Sequence, residues 1–319
     1  MKKTLGFMLV MGMGISLGFS NTASAETSKT NAHNKLEVKQ TEDGRVLGVE
    51  SSEKLSLEQL DNNLIKMGFS FNEISNMQKD LKKELVKQGG KKANLELVEE
   101  NKEYKSLDGQ NYVINNDNKE KIQNIKQQDA NKLLNQSSKN DSKIQRMNPP
   151  SAVINDELTF NLFAIYEGTK GSDYVYKVFS NQMWTKRPYW NTTDTIGVVW
   201  EANAHAINGT ESARQYWTIS NLGGGVNEHN TNVGADRSSL YGTQWKLPYK
   251  TDSINRGAYT SQKITIPQSY RGSNATVGAA FAHPWFAYNF ALNFGPGTIA
   301  FNDAKGDKWS LRYNMNVGS

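Results

Sequence analysis

Cysteine is absent from all 319 residues. That excludes a disulfide framework, a thiolate nucleophile and a cysteine-ligated zinc. Histidine is scarce, with only His33, His205, His229 and His283. Neither HxH nor HExxH occurs, so no metal-ligating pair is written along the chain. No GxSxG nucleophile elbow occurs after the first 25 residues, and a complete phosphate-binding P-loop and a complete EF-hand loop are missing throughout. No cofactor motif remains. The net charge of +5 is mild and scattered, which disfavours nucleic acid as a partner.

Long hydrophobic runs are also lacking after the first 25 residues; none approaches the ~20 residues needed to span a bilayer. The start of the chain differs. Met1-Lys2-Lys3 is basic, 5–19 is apolar and uncharged, and Ala23-Ser24-Ala25 has the small-x-small form of a signal-peptidase site. Residues 1–25 therefore read as a secretory signal peptide. A chain released at Glu26, ending Val317-Gly318-Ser319 without an apolar tail, is expected to be extracellular. Secretion without cysteine suits a Gram-positive habit.

What is present divides in two near Met147-Asn148-Pro149-Pro150. Twenty-six of the 32 aromatic residues follow that point, including all seven tryptophans. Residues 26–146 are instead rich in Lys, Asn, Gln, Asp and Glu, a composition that disfavours a large core. They still carry helix signals. Ser56 with Gln59, and Ser70 with Glu73, form two capping boxes, with Leu55/Leu60 and Phe69/Ile74 as hydrophobic staples. Gly68 closes the first helix, and Ile74, Met77, Leu81 and Leu85 mark one face before Gly89-Gly90. A helical hairpin this short needs a partner to be stable. A third helix is expected over 119–134 and a linker over 135–146. The reading is a polar, helical, partly disordered leader or pro-region, with maturation near Arg146.

The stretch MGFSFNEISNMQKDLKKELVKQGGKK resembles a short helical segment that follows the signal peptide in exported proteins of Bacillus-type bacteria. The resemblance covers about residues 55–91. It implies a pro-region or spacer and assigns no activity or fold to the other half.

From Pro150 the hydrophobic period changes from 3.6 to 2. Strands are expected at 158–166, 173–180, 195–207, 215–220, 240–247, 262–266, 275–282, 285–294, 298–302 and 308–315, separated by Gly, Asn, Asp and Pro clusters. Residues 151–319 thus read as an all-β domain, an antiparallel β-sandwich or jelly roll. Residues 223–230, GGGVNEHN, read as a flexible loop.

Three function classes fit. The first is a non-catalytic binding module for glycan or the cell envelope. Its carriers are Trp184, Tyr189 and Trp190, aromatic rings beside polar residues in MWTKRPYWNTT, with Glu201, Asn203 and His205 as polar readers sharing one strand face. The second is a membrane-active, pore-forming-like protein freed from a pro-segment, with 275–294 as its inserting hairpin. Phe286, Tyr288, Phe290 and Phe294 form the lipid or partner face there, although the same alternation suits a sandwich core. The third is a secreted hydrolase with a carboxylate pair drawn from Asp194, Glu201, Glu211 and Glu228. The partners indicated are a cell-surface glycan or a membrane.

Overall fold

The computed structural model describes residues 38–137, 158–185, 188, 190–221, 224–250, 252–285 and 290–318. The segment expected to be a signal peptide, most of the expected linker, Arg146, Tyr189, Phe286 and Tyr288 lie outside the described residues.

The elements run in this order: β1 (Val46–Leu47), α1 (Leu57–Lys66), α2 (Phe71–Ser75), α3 (Lys79–Gln88), β2 (Gly89–Lys92), β3 (Leu95–Lys105), β4 (Asn111–Val113) and α4 (Lys119–Ser137). Then come β5 (Leu158–Lys170), β6 (Asp173–Trp184), β7 (Asp194–Trp200), β8 (His205–Ala206), β9 (Ser212–Ser220), β10 (Val226–Asn232), β11 (Ala235–Ser238) and β12 (Gly242–Leu247). The chain closes with β13 (Ser253–Pro267), β14 (Asn274–Pro284), β15 (Leu292–Gly295), β16 (Thr298–Phe301) and β17 (Gly306–Asn316).

The fold is an antiparallel β-sandwich. One sheet has the order β1-β2-β5-β6-β13-β9-β10, with β8 also pairing β13. The other has the order β11-β12-β7-β14-β17-β3-β4. Alternation along β5 explains the layering. Leu162, Ala164 and Tyr166 enter the core between the sheets, while Phe163 and Ile165 point the other way, toward α1–α3. The inter-sheet core also holds Trp184, Trp200, Trp245 and Phe281. On the outer face of the first sheet, Phe163, Phe179 and Tyr259 meet Leu60, Leu64, Phe69, Leu81 and Leu85. Both capping boxes form as the spacing predicts. The expected face through Ile74 and Leu85 is broken into two helices, because the turn at 76–78 separates α2 from α3.

The leader is not a separate body. Lys91 and Lys92 of β2 pair with Tyr166 and Ile165 of β5, and β3 pairs along nearly all of β17. Val38–Ser319 forms one unit. The polar composition of 26–146 concealed this because its strands supply backbone pairing while the apolar side chains come from the partner strands. Helix α4 docks by a few buried contacts: Ile122, Ala130 and Leu133 pack with Tyr104, Trp190 and Trp285. Lys126 pairs with buried Asp307, whose other oxygen accepts the Trp285 indole N–H at 2.9 Å. Burial, and the hydrogen bond it gives Asp129, push the Tyr104 phenol far above its ordinary pKa, so it stays a donor.

Among the described residues of 285–294, Trp285, Phe290 and Ala291 belong to no strand. The chain bends at Trp285, and Leu292–Gly295 pairs with Thr298–Phe301 as a small sheet of its own. This hairpin lies on the outer face of the second sheet. A Cβ at Gly242 would stand 2.3 Å from the Phe294 ring, and one at Gly197 2.4 Å from Leu292. The two glycines are the floor on which the apolar side of the hairpin rests.

These pairings predict that 151–319 alone does not fold, because four buried rings and aliphatic side chains, each worth ~1.5–3 kcal/mol on burial, lose their cover. Gel filtration and near-UV circular dichroism should show an aggregated or expanded fragment, and co-expression with 26–137 should restore a single folded species.

Candidate functional site

The residues proposed from sequence are not gathered in one place. Trp184 is 1% exposed and Trp190 is buried against α4, so neither ring offers a face to solvent. Strand β7 ends at Trp200, and Ala204 N–H donates back to the Glu201 carbonyl, closing a turn. Glu201 is held by the Thr276 amide at 2.7 Å beside the second sheet, whereas His205 pairs with Thr265 in the first. The expected polar line through Glu201, Asn203 and His205 does not form, because the chain changes sheets between them. Phe290 is buried, and Phe294 is half-covered on its glycine floor. The first half of the expected 275–294 hairpin belongs to the sandwich, since β14 is a central strand paired on both edges by β7 and β17.

What the fold does bring together is a rung across the first sheet. Register places Leu158, Trp184, Arg256, Trp217 and His229 side by side on β5, β6, β13, β9 and β10. Directly paired residues share a face, and Trp184 sets that face as the one toward the core. Burial falls along the rung. Trp184 and Arg256 are covered, Trp217 is half-exposed and His229 is exposed. The Trp217 and His229 rings stack with centroids 5.5 Å apart and planes 14° off parallel. The Lys250 ammonium stands over the Trp217 ring at 4.6 Å from its centroid.

The segment between β12 and β13 positions the cations. Gln215 Nε2 donates to the Pro248 carbonyl at 2.8 Å, and Ser253 Oγ donates to the Lys250 carbonyl at 2.9 Å. Asp252 takes a left-handed φ of 61° in that turn, a conformation asparagine and aspartate tolerate better than most residues. Tyr249 and Lys250 are thereby folded back over the rung, and the Arg256 guanidinium lies 5.1 Å from the Tyr249 centroid and 5.7 Å from that of Trp184.

At its buried end the rung meets Asp194 of β7. One carboxylate oxygen is 2.6 Å from His283 Nδ1 on β14. The other accepts the Trp184 indole N–H at 3.2 Å and lies 3.1 Å from Arg256 Nη2. The Asp–His pair could suggest proton transfer, but His283 is 0% exposed and its Nε2 has no partner and no solvent contact. The arrangement ties two sheets together and offers no atom to a substrate. The remaining carboxylates of the suggested hydrolase set are dispersed: Glu201 is taken by Thr276, Glu211 precedes β9, and Glu228 lies exposed on β10. Among the described residues no group of three His, Asp or Glu side chains could hold a metal ion. No described helix is long and apolar enough to cross a membrane.

The sequence reading missed Trp217, His229, Lys250 and Arg256. It took 223–230 as a loop, whereas Val226–Asn232 is strand β10, paired with β9 through all seven residues. The Asn-Leu-Gly-Gly-Gly turn between two polar alternating runs was the available signal. Asn221 and Asn227 exchange side-chain amide hydrogen bonds at 3.1 and 2.9 Å across its base.

No family model and no curated protein matches the chain. Solved structures with partial likeness include the delta-toxin of Clostridium perfringens, at 7% identity over 50% of this chain and 85% of that one, with TM-score 0.23. A Streptococcus parasanguinis Fap1 fimbrial structure concerned with pH-modulated adhesion matches at 10% identity over 49% and 81%, with TM-score 0.23. The CBM22-1–GH10 modules of a Clostridium thermocellum xylanase, complexed with xylohexaose, match at 12% identity over 53% and 26%, with TM-score 0.15. These scores fall below those of chains sharing a fold, so function is read from the residues of this chain.

Replacing Asp194 by Ala should cost about 3–5 kcal/mol, since it strands a buried guanidinium without its counter-charge. Urea unfolding of D194A against wild type measures this.

Proposed function

We propose that this protein is a secreted, non-catalytic β-sandwich that binds acidic glycan of a cell surface or cell envelope at the exposed end of the Trp217 rung. The observation that carries the reading is the stacked Trp217–His229 pair with an ammonium laid on it, where a buried aromatic and cationic rung reaches solvent. An indole face suits the C–H face of a sugar ring, and aromatic rings with a polar rim are common binding anchors. The Lys250 side chain is long and flexible; it covers the ring in the free protein and can turn to pair with an incoming carboxylate or sulfate. The rung needs no backbone movement to receive a ligand, because Arg256 and Trp184 are held from below by Asp194.

Trp217→Ala should weaken binding to immobilised acidic oligosaccharides about tenfold or more, equivalent to ~1.4 kcal/mol. Lys250→Gln should reduce the preference for acidic over neutral glycans while leaving thermal stability close to wild type. A glycan array followed by biolayer interferometry reads both; unchanged binding in W217A contradicts the site.

A second reading, membrane activity, is favoured by the β15–β16 hairpin. Register puts Leu292 opposite Phe301 and Phe294 opposite Ile299, so these four share one apolar face. Strands of four residues are shorter than the ~9–11 needed to cross a bilayer, so the hairpin would act as an interfacial wedge. Gly242→Val removes its seat and should lower the thermal midpoint. Under this second reading it should also raise dye release from anionic liposomes above that of wild type; no release from either protein contradicts it.

A further inference from the structure

A separate cavity of about 550 Å³ lies between the N-terminal segment and the outer face of the first sheet. Its size is in the range of small-molecule pockets. Arg45, Glu84, Gln88, Glu167, Lys177 and Lys263 line it. The local backbone is shaped around them. The pairing of β5 with β6 shifts register between Tyr166 and Gly168, so Glu167 is the extra residue of a β-bulge. Bulges re-aim side chains and are concentrated beside functional sites. Gly168 follows at φ 117°, and a Cβ there would stand 2.7 Å from the Arg45 guanidinium. Without that Cβ, Arg45 Nη1 reaches the Glu167 carbonyl at 2.7 Å.

Three of the lining cations are already matched. Lys177 pairs with Glu84 at 2.9 Å, Lys263 with Glu167 Oε2 at 2.6 Å, and Arg45 with Asp43 at 2.7 Å. An anion would have to compete with carboxylates for three of the four cations that line the cavity, exposed Lys87 being the fourth, so charge is not the main attraction. What is left over is hydrogen-bonding capacity. Both amide atoms of Gln88 and the Oε1 of Glu167 are buried without a partner. Unpaired buried polar atoms are rare in folded proteins and each one costs free energy. The leftover set is two acceptors and one amide donor. A hydroxyl both donates and accepts, and neighbouring hydroxyls on a sugar ring suit planar carboxylate and amide groups better than a purely anionic or purely apolar ligand does.

We infer that this cavity is a binding site for a small polyhydroxylated ligand, a free mono- or disaccharide, held by Glu167 and Gln88 and framed by the Arg45, Lys177 and Lys263 ion pairs. It is distinct from the Trp217 rung in residues and in chemistry, since it recognises hydroxyls without an aromatic platform.

The test is isothermal titration of the full secreted chain with a panel of neutral mono- and disaccharides, beside Glu167→Gln, Gln88→Leu and Trp217→Ala. Saturable binding of at least one sugar is expected, weakened about tenfold in both pocket variants and unchanged in W217A. Glu167→Gln keeps the shape of the side chain and serves should Gln88→Leu fold poorly. No saturation with any sugar overturns the proposal. So does binding that W217A abolishes and E167Q leaves intact. A Gln88→Leu protein that is more stable than wild type and binds sugar equally well also overturns it, because the unpaired amide is then a tolerated defect.

Discussion

One buried carboxylate organises this end of the sandwich. Asp194 sits on the second sheet with His283 beside it, and it reaches across the core to Trp184 and Arg256 of the first. A charge in that position is tolerated only because it is fully engaged, by an imidazole, an indole N–H and a guanidinium. The consequence is positional. Arg256 cannot move without stranding Asp194, and Arg256 is the middle of the rung that ends in Trp217 and His229. The edge hairpin of β9 and β10, held also by the Asn221–Asn227 amides and by Asn230 against Asp80, is thereby registered to the core. The exposed rings keep a fixed geometry at the sheet edge, where preorganised contacts favour binding most.

The second dependence is on the leader. Strands β2 and β3 complete one sheet each, and α1–α3 cover Phe163, Phe179 and Tyr259, which a lone sandwich would leave in water. A pro-segment that is cut and discarded would take four strands, β1 to β4, and one whole covering layer with it. The segment behaves as part of the fold, and any cleavage in the linker would leave two chains held together by the sheets.

Local signals were legible in the sequence and non-local ones were not. Ser56 with Gln59 and Ser70 with Glu73 form their capping boxes because the groups involved lie three residues apart. The strands at 158–166, 173–180, 262–266 and 275–282 follow from period-2 alternation, whereas β13 begins at Ser253, inside a stretch that reads as a turn. Burial of Trp184 did not follow, because a tryptophan at a strand end beside polar residues looks the same whether it caps a core or faces water. The break after Trp200 was equally hidden: WEANAH keeps β-like alternation, yet Glu201 is captured by the Thr276 amide of a distant strand. The aromatic run that suggested a lipid face is divided by the fold, with Leu292 and Phe294 covering Gly197 and Gly242 and Phe290 buried with Ala282 and Ala304. The Trp217 rung was invisible because it is assembled from five strands, and sequence reports one strand at a time.

The central claim is that ligand meets this protein at Trp217 and nowhere else among its tryptophans. Seven indole N–H groups give seven resolvable signals in a ¹⁵N-labelled sample, assignable by single Trp→Phe replacements. Titration with an acidic oligosaccharide should move the Trp217 signal and leave those of buried Trp184, Trp200, Trp245 and Trp285 in place. Movement of the Trp190 or Trp285 signals with Trp217 unmoved would put the binding surface at the α4 end and contradict the account.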